Sequence, residues 1–188
     1  MSAATLPPAP APMVSADDFL RLHGDESGVE LINGVITRLP MPGGVHGEVC
    51  WKAGFIIGGF VMQHKLGRMF GNDTFVRTTP TGVRGADVMF MSYATLPENV
   101  PTPVGAFTPP VDLVVEVRSP YDTIAEMTAK AEEYLNAGVR VVLNLDPQTD
   151  TATVHRLNEV PQRFSNGDVL TLPEVSPAFA VPASKFFE

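Results

Sequence analysis

Residues 111–118, VDLVVEVR, constrain the fold more than any other stretch. A near-continuous Val/Leu run of this length is the pattern of a strand covered on both faces. Such a strand needs a layer above it and a layer below. The run nevertheless contains Glu116. An ionised carboxylate taken out of water without a partner is costly and would sooner take up a proton. Glu116 is therefore either paired or bound to something. Side chains alternate along a strand, so Asp112, Val114, Glu116 and Arg118 share one side, and Val111, Leu113, Val115 and Val117 the other. Arg118 is thus a charged neighbour on the face of Glu116.

The residues that follow extend the unit. SPYDT caps a helix predicted over roughly 122–136, and Gly138 lies just past its end. VRVVLNLDP (139–147) is a second buried strand. Strand, helix and strand make a βαβ candidate, with the two strands parallel and the connection right-handed. At 100° per residue, Ile124, Met127, Ala131, Tyr134 and Leu135 form the apolar stripe of the helix. Lys130 borders that stripe, where it can reach back over the end of the preceding strand. The plain alternative is an i,i+4 pair with Glu126, worth about 0.2–0.5 kcal/mol.

Upstream, SADDFLRLHG (15–24) reads as a short helix capped by Ser15, and VELINGVITRL (29–39) as a hairpin turning at Asn33-Gly34. Residues 45–67 read as a long apolar helix ending at Gly67. Its first turn carries His46 and Glu48, which have ordinary readings as polar N-terminal residues. Residues 68–79 and 83–92 are two strands. The second carries Asp87 after a Gly/Arg-rich turn, where Asp is commonly a turn residue. A proline-rich loop fills 93–110, and 151–158 is a further strand. The remainder is irregular with one more short strand.

Composition removes several classes of function. The single cysteine, Cys50, forbids an internal disulfide and fits a reducing compartment and ordinary core packing. The formal net charge of −8 counts against strong non-specific nucleic-acid binding, which needs a basic face. The charge is uneven: residues 51–84 are mostly basic and 112–133 mostly acidic. Residues 1–14 are Pro/Ala-rich and are expected to form a flexible tail without signal-peptide character, ahead of a single domain over 15–188. The apolar stretch 53–62 is too short to span a bilayer, so a cytoplasmic protein is expected. P-loop, dinucleotide-binding and nucleophile-elbow motifs are absent. His155 reads as a strand-surface residue, and His23 and His64 as polar residues near helix ends.

Taken in series, ELINGVI, the helix opening with His46, GADV, VDLVVEVRSP, K-x-x-x-Y and LNLDP resemble the putative restriction endonuclease family of the PD-(D/E)XK nuclease superfamily. The resemblance implies an α/β, restriction-endonuclease-like fold: a central mixed β-sheet flanked by helices, with an N-terminal β-hairpin. It implies Asp87 and Glu116 as metal ligands, Lys130 as a migrated catalytic lysine, and Glu48 as a helix-borne acid at the metal. Arg118 takes the position where the wider superfamily has lysine. Two positions depart from the pattern: Ala86 replaces the usual proline, and E-V-R replaces E-x-K.

The implied activity is Mg2+- or Mn2+-dependent hydrolysis of phosphodiester bonds in DNA. Hard oxygen ligands suit such an ion, which activates water and stabilises charge on the phosphodiester. The competing answer for Glu116 is a salt bridge to Arg118 or Lys130 without metal. A non-catalytic binding module on the same fold is the rival function. A homodimer through the apolar 53–62 surface is compatible with both.

Overall fold

The computed structural model describes residues 13–188. Most of the Pro/Ala-rich segment, residues 1–12, lies outside the described residues. Val14, at its end, donates its N–H to the carbonyl of Gly34.

Helix α1 (Ala16–His23) starts at Ser15, whose hydroxyl accepts from the N–H of Asp18 at 3.1 Å. The hairpin β1 (Val29–Ile32) and β2 (Val35–Arg38) turns at Asn33 and Gly34, both with left-handed φ of 49° and 78°. That is the turn geometry Asn-Gly favours. Helix α2 (Gly44–Gln63) then leads into the long antiparallel pair β3 (Gly67–Thr79) and β4 (Gly82–Ser92). The helix stops four residues short of the predicted end. Gly67 belongs to β3 instead, and a Cβ there would sit 2.1 Å from the carbonyl oxygen of Met91. Gly67 therefore serves close strand approach rather than helix termination.

Strand β5 (Val111–Val117), helix α3 (Ile124–Ala137) and strand β6 (Val139–Asp146) form the expected βαβ unit, with β5 and β6 parallel. A capping box between Thr123 and Glu126 starts α3, and Gly138 ends it. Strands β7 (Thr151–His155) and β8 (Gln162–Phe164) continue the sheet. The eight-stranded mixed sheet runs β2-β1-β4-β5-β6-β7-β8, with β3 on the other edge of β4. The C-terminal region is more ordered than composition suggests. It holds β8 and a separate pair, β9 (Val169–Thr171) with β10 (Ala180–Pro182), followed by a 3-10 turn at Ala183–Phe186.

The two sheet faces carry different layers. Val49, Ala53, Ile57 and Val61 of α2 pack on Val88, Leu113, Val115 and Leu143. Ala131, Tyr134 and Leu135 of α3 pack on Met89, Val114 and Val142 of the opposite face. Each fully buried Leu or Val contributes about 1.5–3 kcal/mol. All seven residues of β5 are buried, as a strand between two layers requires. Two local expectations fail. Ile124 is exposed because it occupies the first turn of α3, beyond the sheet edge of the stripe. His155 is buried, with Nε2 3.2 Å from Asn144 Nδ2, because it lies opposite Val142 on the face covered by α3, where Asn144 also donates to the Met127 carbonyl.

Candidate active site

Strand β4 changes partner along one edge. Its outer half pairs with β5 at Val88, Met89 and Phe90, whereas Val83 pairs with Leu31 of β1. Residues 84–87 lie in the fork between, and β3 holds their other edge. A fork leaves backbone groups without ladder partners, and buried ones must find others. Side chains supply them. The N–H of Gly85 donates to Glu30 Oε1 at 3.0 Å, and its carbonyl accepts from Lys130 Nζ at 3.3 Å. The N–H of Val117 donates to Asp87 Oδ2 at 2.7 Å. The β4–β5 register, carried one step past Val88 and Val115, sets Asp87 opposite Glu116.

Glu116 is 4% exposed, and both of its oxygens are engaged. Lys130 Nζ donates to Oε2 at 2.8 Å, and the Tyr134 hydroxyl to Oε1 at 2.8 Å. The same ammonium reaches Glu30 Oε1 at 2.9 Å. Arg84 joins Glu30, with Nη1 2.9 Å from Oε2, to Glu133 of α3. The basic and acidic segments of the sequence thus meet through Arg84. The titration behaviour differs from group to group. Burial raises the Glu116 pKa most; Asp87 and Glu30 add to that rise against Lys130, and the carboxyl is pushed up to about 8. Burial also works to raise the Glu30 pKa, but Lys130 and Arg84 outweigh it and hold the group below its usual range. Burial works against the Lys130 ammonium, yet Glu116, Glu30 and Asp87 keep its pKa above the ordinary lysine value. With every acid ionised and His46 neutral, four carboxylates (Glu30, Asp87, Glu116 and Glu133) face two cations (Lys130 and Arg84), so negative charge is in excess.

Helix α2 adds two groups beside Asp87. His46 Nε2 is 3.5 Å from Asp87 Oδ2, and Cys50 Sγ is 3.4 Å from His46 Nδ1. Burial opposes a charged His46, but the hydrogen bond and charge of Asp87 raise its pKa. Burial, then the charges of Asp87 and Glu116, push the Cys50 thiol well up. Asp87, Glu116, His46 and Cys50 all carry donor atoms suited to a cation and line the same cleft.

Of the five residues singled out in the sequence, the fold brings together Asp87, Glu116 and Lys130. It does not bring in the other two. Arg118 Nη1 is 3.0 Å from Asp146 Oδ2, and its Nε donates to the Asp122 carbonyl. Glu48 is largely exposed and pairs with Lys52 at 2.8 Å. Of the two salt bridges weighed for Glu116, the one with Lys130 forms. Lys130 does not take Glu126, whose carboxylate caps the start of α3. Glu30, Tyr134 and His46 escaped notice as site residues. Glu30 in VELI carries the same signal as Glu116, a carboxylate inside an apolar strand. Tyr134 lies one turn beyond Lys130, which is the spacing that lets both reach one carboxylate.

These groups floor a cleft of about 1140 Å3 between α2, the hairpin and the start of α3. Trp51 and Phe55 of α2 also line it. Their rings stack with centroids 5.2 Å apart and planes 11° from parallel, and each residue is 66% exposed. Among the described residues, no helix is long and apolar enough to cross a membrane.

Comparison with known proteins agrees with this architecture. A search among curated proteins finds no match. The crystal structure of a putative nuclease belonging to DUF820 from Anabaena variabilis superposes with a TM-score of 0.81 at 21% identity, covering 93% of this chain and 97% of that one. That likeness is one of fold. The family model of Uma2, described as "Putative restriction endonuclease", matches residues 16–184. The chain therefore belongs to the Uma2 family of putative restriction endonucleases.

Proposed function

We propose that this protein is a divalent-metal-dependent endonuclease acting on DNA, with Asp87 and Glu116 as the acids that hold the ion and Lys130 as the positioning lysine. One observation carries the reading: two carboxylates from neighbouring strands oppose each other at the sheet fork, beside a large cleft, with more negative than positive charge around them. A buried acid raised to about 8 lacks compensating charge. A divalent cation would supply the positive charge that Glu116 lacks, taking the place of its proton, so the residues fit such an ion. When bound, it supplies Lewis acidity, lowering the pKa of a water and stabilising charge on the phosphodiester oxygens. The chain supplies the rest. Val117 N–H orients Asp87, and Tyr134 with Lys130 orients Glu116. Lys130 spends its donors on Glu116, Glu30 and the Gly85 carbonyl. With its pKa raised, it remains an ammonium that fixes Glu116 and its field, rather than a base that removes a proton. The stacked Trp51 and Phe55 offer a surface on which a base can lie, which supports nucleic acid as the substrate. The choice of DNA follows the family description. The reading takes residues 15–188 as one catalytic domain.

A supercoiled-plasmid nicking assay tests this with wild type, Glu116→Gln and Asp87→Asn, each with added Mg2+ or Mn2+. Metal-dependent nicking by wild type, reduced to background in both variants, is the expected outcome. Equal nicking by all three proteins would falsify the assignment. A second reading, a nucleic-acid-binding module without catalysis, is favoured by one observation. The cations of the cleft floor, Lys130 and Arg84, are spent on internal carboxylates, and the net charge is −8. Absence of cleavage of plasmid, single-stranded DNA and RNA by wild type, with binding retained, would select it.

A further inference from the structure

We infer that the ion held at Asp87 is of the zinc class rather than magnesium, because His46 and Cys50 complete a three-donor site on that carboxylate. The inference rests on the reading that Asp87 binds a cation, and it names which kind.

His46 and Cys50 are four residues apart on α2, so they lie one turn apart on the same face. That face is turned to β4. Cys50 Sγ lies 3.4 Å from Nδ1 and 4.0 Å from Nε2 of His46, and Nε2 lies 3.5 Å from Asp87 Oδ2. One donor atom from each of the three residues lies within 4.8 Å of the others. Zinc takes sulfur at about 2.3 Å, and nitrogen or oxygen at about 2.0–2.2 Å, in a tetrahedron, which sets the donors about 3.3–3.7 Å apart. From His46 Nε2 the separations of 3.5 Å to Asp87 and 4.0 Å to Cys50 are within a few tenths of an ångström of that spacing, and the 4.8 Å limit on the remaining pair leaves at most about 1 Å to close.

Other features agree. Asp87 is oriented from behind by the Val117 N–H, the kind of outer support that metal-binding carboxylates use. His46, Cys50 and Asp87 all line the cleft, so the fourth side of a tetrahedron is open to it. Three protein ligands with one open position is the layout of catalytic rather than structural zinc. Magnesium prefers oxygen donors in an octahedron, whereas thiolate and imidazole suit zinc and cobalt. Glu116, engaged by Lys130 and Tyr134, borders the site, and His46 and Cys50 take the ligand place beside Asp87 that the proposed function gives to Glu116. Binding converts the Cys50 thiol to a metal thiolate and releases its proton to solvent.

The test is a Co2+ titration of the full-length protein, stripped of metal with a chelator and kept reduced, with Mg2+ in large excess. The expected spectrum has a near-ultraviolet thiolate-to-cobalt charge-transfer band and intense visible bands of four-coordinate cobalt. Zn2+ bleaches both. Cys50→Ala loses the charge-transfer band, and His46→Asn and Asp87→Asn weaken cobalt binding by about tenfold or more. Circular dichroism confirms that each variant is folded, and the Zn2+-induced rise in wild-type Tm, lost in His46→Asn, provides a second readout. Weak octahedral bands without charge transfer, unaffected by Cys50→Ala, overturn the inference. So does wild type that binds no cobalt. In either case, Asp87-dependent nicking with Mg2+ or Mn2+ leaves the nuclease reading standing. A Cys50-dependent band in a protein that nicks with no metal supports the inference and removes the nuclease.

Discussion

Glu30 on β1 and Glu116 on β5 stand on opposite sides of one fork, and they share one ammonium. Both are buried, at 2% and 4% exposure. Lys130 lies 2.9 Å from the first and 2.8 Å from the second. Yet Glu30 is held below the usual carboxylate range, and Glu116 is pushed up to about 8. Burial acts the same way on both, so the difference lies in their neighbours. Glu30 also has the Arg84 guanidinium and the Gly85 N–H. Glu116 has a neutral hydroxyl donor in Tyr134 and another acid, Asp87, opposite. The β1 side is a closed ion-pair network that holds the hairpin to α3. The β5 side is short of positive charge, and it is the side that faces Asp87. A buried carboxylate therefore points to a ligand only when its compensation is incomplete, not simply because it is buried.

The comparison can be broken most forcefully at Glu30. Glu30→Ala removes the carboxylate that Lys130 and Arg84 share and leaves the Gly85 N–H without its acceptor; Lys130 keeps Glu116 and Arg84 keeps Glu133, so the expected loss is at the lower end of the buried-pair range, about 3 kcal/mol. Urea unfolding at neutral pH measures it; a loss below about 1 kcal/mol would mean that the network is not structural.

Tyr134→Phe acts on the other side. It removes one of two donors to Glu116 and is expected to lose about 1.5–3 kcal/mol at pH 9, where the carboxylate is charged. A smaller loss at pH 6 is the check.

The pH profile sharpens the contrast. Glu116 holds its proton up to about 8 in the folded chain, against an ordinary 4.5. Between those values unfolding releases a proton, so the stability contributed by this group falls as pH rises, by up to about 1.4 kcal/mol per unit, and is flat outside the window. Thermal melts of metal-free wild type and Glu116→Gln from pH 5 to 9 should diverge with that sign. A variant that follows the wild-type slope would place the titration elsewhere.

Glu48→Ala comes last. Its exposed pair with Lys52 predicts a change within about 0.5 kcal/mol and unaltered nicking. A large loss of nicking would return Glu48 to the site.

The layers and the βαβ unit were legible because period-2 and 3.6-residue patterns survive in β5, α3 and β6. The Asp87–Glu116–Lys130 set was legible only through the family resemblance of its motifs in series, since Asp87 and Lys130 each have a plainer reading alone. What escaped depends on long-range pairing. Nothing local in VELI says that β1 joins β4 at Val83, and that single contact is what brings Glu30 to Lys130. Arg118 and Glu48 misled for the same reason. Each shares a face or helix with the site, but Asp146 and Lys52 lie nearer than the fork. His155 reads as a surface residue because nothing local in TATVH shows that its strand joins β6, which sets it opposite Val142 on the face under α3.

The chain has one tryptophan, and it stands on the cleft wall, stacked on Phe55 and two-thirds open to water. All indole emission therefore originates beside the carboxylates. Anything that settles over that ring changes its polarity or quenches it, so the native protein carries an unlabelled optical gauge of cleft occupancy, free of background from other indoles.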